Sequence, residues 1–179
     1  FEKEGLETSL HIAMEQLGQA IGAWESRAQA GTEMRLLARL KAAGELCLAV
    51  LNWDHGWLDT YSIPGATTSN RPPQSWRSYL VRPDLLQALF RVYRAVWVCA
   101  LPQCTNAQTS FWVLATDVAA MLRQILTALS GVTGKIFEST EEKGGYFQYL
   151  ATSALHLSAE PLMATEAAIV LSKRDVGGQ

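Results

Sequence analysis

The residues best equipped for chemistry share one short stretch, Leu51 to Thr60, which reads LNWDHGWLDT. It holds Asp54, His55 and Asp59 beside Trp53 and Trp57. Carboxylates and imidazoles are the groups that ligate zinc and that exchange protons near neutral pH. A metal would need further ligands, and the other histidines, His11 and His156, fall on separate segments. Helical zinc sites commonly set two His at i and i+4, facing one ion, and this chain has no such pair. A structural account covers the same residues. If a helix runs through Trp53, then Asp54 and His55 form its last turn and Gly56 its glycine stop, where a charged imidazole meets the negative end of the helix dipole. That account is preferred here, and a metal or acid/base site at Asp54, His55 and Asp59 is the alternative.

Other catalytic signatures are missing from the sequence. There is no glycine-rich phosphate loop, no Gly-x-Ser-x-Gly elbow and no Cys-x-x-Cys pair. Glu141 and Glu142 are adjacent, so on a helix they diverge by about 100° and form no facing carboxylate pair. Cys47 falls at a helix-core spacing and reads as a small hydrophobe. Cys99 and Cys104 flank ALPQ, but two thiols do not make a zinc site. No cofactor is expected.

A different surplus surrounds the loop after the second helix. Trp57, Tyr61, Trp76 and Tyr79 bracket it, interleaved with Arg71, Arg77 and Arg82. Trp, Tyr and Arg dominate interface hot spots, because they bury much area at modest entropic cost. These seven residues are the candidate partner-binding set. The competing account is that the aromatics pin the loop to its own helices.

The elements that must position these groups read as helices throughout. Leu10, Met14, Leu17, Ile21 and Trp24 draw one stripe at spacings of four and three, and Leu36, Leu40, Ala43, Cys47 and Val50 draw another. Thr8 or Ser9 is expected to cap the first helix, Gly31 to close it and Thr32 to cap the second. Broad stripes recur from Leu86 to Trp97 and from Phe111 to Leu129, the latter capped by Thr109 or Asn106. Ser139 with Glu142 has capping-box spacing, although Gly144-Gly145 argues for a restart at Tyr146. Helices are therefore predicted near 8–30, 33–54, 84–100, 109–130, 146–159 and 165–174, with a long loop over 55–82. Within that loop SWRSYLV predicts a short helix stopped before Pro83.

No segment alternates apolar and polar residues as a half-buried strand does, so the fold class is all-α. The predicted architecture is antiparallel helical hairpins packed as a multi-helix bundle or as a short HEAT-like α-solenoid segment. The 179 residues suit a single domain. The start at Phe1 and the polar ending RDVGGQ read as an excerpt of a longer chain. Charged residues make up 18%, below the usual quarter or so, which with six Trp suggests surface covered by neighbours or partners. Net charge is −2 with no basic stripe, so nucleic acid is not an expected partner. An odd cysteine count and no run of about 18 apolar residues point to an intracellular protein without a membrane span. The functional expectation is a non-catalytic protein–protein interaction module of a scaffold or adaptor. The alternatives are a helical-bundle enzyme or metal-binding domain, and a self-assembling viral or bacterial protein.

Overall fold

The computed structural model describes residues 2–27, 31–52, 72, 74–100, 109–132 and 136–159. They form an all-α bundle: α1 (Glu2–Glu25), α2 (Glu33–Leu51), α3 (Arg77–Leu80), α4 (Pro83–Ala100), α5 (Ser110–Ser130) and α6 (Thr140–Ala159). A 3-10 turn, Gln74–Trp76, leads into α3. No strand occurs among the described residues.

Pairs of side chains fix the directions of the helices. Arg39 donates to Gln19, and the Cys47 thiol lies 3.7 Å from the Met14 sulfur, so α1 and α2 are antiparallel. Lys41 meets Asp117 at 2.7 Å and Gly44 abuts Met121, so α2 and α5 run in the same direction. Arg91 reaches Glu25 at 2.8 Å, Cys99 feels the charge of Arg27, and Tyr79 just ahead of α4 stacks near His11. Hence α4 runs parallel to α1. Arg77 pairs with Glu138 and Glu142 while Phe90 packs on Tyr149, which sets α6 parallel to α4. Two helical hairpins, α1–α2 and α4–α5, thus lie side by side in the same sense. α1, α4 and α6 form one layer, and α2 and α5 form the other.

Helix pairing runs α1 to α2, α2 to α5, α5 to α4 and α4 back to α1, around one core. Trp24, Leu17, Leu37, Leu40, Leu89, Leu122 and Ile125 are all fully buried there. α6 lies against α4 and α3 against α1. By length and composition alone α5 could cross a membrane. Here its Val118, Leu122, Ile125 and Leu129 stripe faces the core.

Several helix limits differ from the sequence reading, each for a local reason. α1 begins at Glu2 rather than near residue 8. Ser9 does not cap it; its hydroxyl donates back to the Gly5 carbonyl at 2.9 Å, within an unbroken helix. The helix ends at Glu25, where the Arg27 guanidinium donates to the Trp24 carbonyl at 2.7 Å and stacks over the Trp24 ring. Gly31 has φ +89, the left-handed conformation that a turn between hairpin helices requires. Thr32 occupies the N-cap position of α2 without a side-chain cap bond, while the Glu33 carboxylate accepts from the Gly31 N–H at 2.8 Å. Thr109 caps α5 as expected, accepting from the Trp112 N–H at 3.2 Å.

α6 starts at Thr140, not at Tyr146. Ser139 caps it, its Oγ accepting from the Glu142 N–H at 3.0 Å, and the Glu142 carboxylate reaches back one residue past the cap to accept from the Glu138 N–H at 2.8 Å, a variant of the capping box. Gly144 and Gly145 sit on the exposed side, where they lower helix propensity but open no hole in the core. The expected 165–174 helix lies outside the described residues.

Candidate functional site

Asp54, His55 and Asp59 lie outside the described residues, as do Trp57, Tyr61 and Arg71. The other four members of the candidate partner set, Trp76, Arg77, Tyr79 and Arg82, come from the described part of the same loop. The structure brings three of them into one compact arrangement around α3.

Trp76 is 2% exposed and Leu80 is 1% exposed, so both rank as core residues. Their i, i+4 spacing places them on one side of a single helical turn. Trp76 is therefore not an exposed anchor. Its ring is spent on docking the segment to its own bundle, as the competing account of the loop anticipated for the aromatics. Tyr79 is half-buried, with its ring 5.7 Å from the exposed His11 of α1 at a tilt of 58°. Arg77 lies between them and turns toward α6. It makes an ion pair with Glu142 and a second with Glu138 at 3.3 Å. Arg82 is more exposed and pairs with Asp84 through two of its nitrogens, one at 3.1 Å. The Arg82 guanidinium hydrogen-bonds the Asp84 carboxylate and holds it below the usual carboxylate range.

The sequence singled out Glu142 for helix capping and gave no sign that it also receives Arg77. The two are 65 positions apart, and pairing at that range depends on how the layers stack, not on local spacing. His11 was noted only as a distant ligand. In the structure it is the α1 partner of Tyr79.

The described cysteines are poorly placed for nucleophilic work. Burial pushes the Cys47 thiol up to about 12. Cys99, half-buried at the end of α4, is also raised, mainly by burial. Among the described residues no three His, Cys, Asp or Glu side chains converge as a metal site would require. Comparison with protein-family models, with curated proteins and with solved structures gave no match.

Proposed function

We propose that this chain is a non-catalytic interaction module, a segment of a scaffold or adaptor built from helical hairpins. The observation that carries this reading is the stacking of α1–α2 beside α4–α5 in the same direction, with α6 continuing the α1–α4 layer. Hairpins that add in one sense bury a continuous core between layers and leave broad outer faces, which is how helical-repeat arrays hold their partners. The 54–82 segment follows α2 in the sequence and carries Trp57, Tyr61 and Arg71, residue types suited to anchoring a protein partner.

The test is affinity isolation from the cells the protein comes from, with the wild-type chain beside a Trp57→Ala, Tyr61→Ala, Arg71→Ala variant of matched helical circular dichroism. The expected result is a stoichiometric partner that the variant loses. Equal recovery by both chains would remove these anchors from the interface. Failure of either chain to recover any stoichiometric partner would overturn the module reading.

A further inference from the structure

α3 is bound to the bundle in the manner of a ligand. It is a helix of four residues, too short to persist without tertiary support, since a first helical turn fixes several residues for one hydrogen bond. At its C-terminal end the Val81 N–H donates to the Arg77 carbonyl at 2.9 Å. Side-chain docking adds to it: Trp76 and Leu80 into the core, Tyr79 against His11 of α1, and Arg77 onto the acidic pair Glu138 and Glu142 at the start of α6. An apolar pair at i, i+4 with a charged residue on the adjoining face is the pattern by which amphipathic helices enter grooves. The long connection from Asn52 to Pro73 on one side and the Pro83 helix start on the other separate this turn from its neighbouring helices.

We propose that the surface between α1 and the start of α6 is a receptor groove for a short amphipathic helix. Its ligand carries a bulky aromatic at one position, a cation at the next and Leu four residues after the aromatic. Residues 74–80 fill the groove in cis and act as a built-in competitor. A partner segment of that chemistry gains access when the α3 turn swings out about Val81 and Arg82. This rests on the interaction-module reading and assigns the partner a site different from the Trp57, Tyr61 and Arg71 anchors, so each can fail without the other.

The experiment uses the full chain and a fluorescein-labelled peptide of residues 72–83, PPQSWRSYLVRP. A Trp76→Ala, Leu80→Ala chain, its groove emptied, is expected to bind the peptide at least about ten-fold more tightly than wild type, because the internal competitor leaves little of the binding-competent state populated. Adding Glu138→Gln and Glu142→Gln should weaken that binding. No peptide binding by a folded, emptied chain would overturn the proposal. So would a concentration-dependent dimer that exchanges the segment between copies. If the emptied chain does not fold, hydrogen exchange on the wild type decides. Amides of Tyr79 to Val81 should exchange through a local opening, well before the core of α2 and α5. Exchange only with global unfolding would overturn the proposal.

Discussion

The sulfur of Met121 on α5 occupies the space that a β-carbon on residue 44 of α2 would need, so these helices approach closely because position 44 is glycine. Gly44 is buried, and the space opposite it is already filled. Gly44→Ala gains about 1 kcal/mol of helix propensity but overpacks the α2–α5 contact, a change that typically costs about 1–3 kcal/mol. The net expectation is a small to moderate loss in urea stability. Met121→Ala should be less harmful in the Gly44→Ala background than in wild type, giving a coupling term in a double-mutant cycle. Strict additivity would mean that the two positions do not share that space.

Glu142 has two duties: its carboxylate accepts from the Glu138 N–H ahead of α6, and it receives Arg77. Glu142→Ala removes both and should lower stability by about 1–2 kcal/mol, the scale of a lost cap with a partly exposed ion pair adding little. Glu142→Gln keeps a capping acceptor and should cost less. Chemical denaturation of the two variants beside Arg77→Ala separates the roles. Equal losses for Gln and Ala would assign the whole effect to charge.

Thr109 supplies the one side-chain acceptor for the first turn of α5 seen among the described residues. Thr109→Ala should cost about 1 kcal/mol and Thr109→Ser very little, since serine retains the acceptor. Thermal melts that rank Ser with Ala would show that the hydroxyl is not what holds this end.

Cys47 makes stability sensitive to alkali. Its thiol is raised from 9.0 to about 12 by burial. Below pH 9 the thiol is protonated in both folded and unfolded chains, and its contribution to stability is fully present. Between pH 9 and 12 the unfolded chain ionises while the folded chain does not, so that contribution is lost as pH rises. At pH 10 the loss is about 1.4 kcal/mol. The fall in urea midpoint from pH 8 to pH 10 should be shallower for Cys47→Ala than for wild type. Parallel slopes would show that this thiol does not titrate differently in the two states.

The helices were legible in the sequence because their causes are local. Stripes at spacings of three and four marked α1, α2, α4 and α5, and Thr109 marked the start of α5, whereas the Ser139–Glu142 signal was set aside for a start at Tyr146. Helix limits were less legible where two local signals competed. At α6 the capping box outweighed two exposed glycines, and at α1 the Thr8-Ser9 cap signal lost to an uninterrupted helix. The arrangement around α3 was only partly legible. SWRSYLV announced a short helix, but composition could not distinguish Trp76 buried in its own core from Trp76 presented to a partner. The acidic groups that meet Arg77 lie on α6, and only the stacking of the layers brings them there.

The parallel course of α2 and α5 also bears on how the chain reaches this state. Within the α1–α2 hairpin, contacts such as Met14 with Cys47 join positions 33 apart, whereas Lys41 and Asp117 across the two hairpins are 76 apart. Closing the longer loop costs more chain entropy before any contact offsets it. Contacts within the α1–α2 hairpin therefore carry the smaller closure cost, and the seam where Gly44 receives Met121 carries the larger.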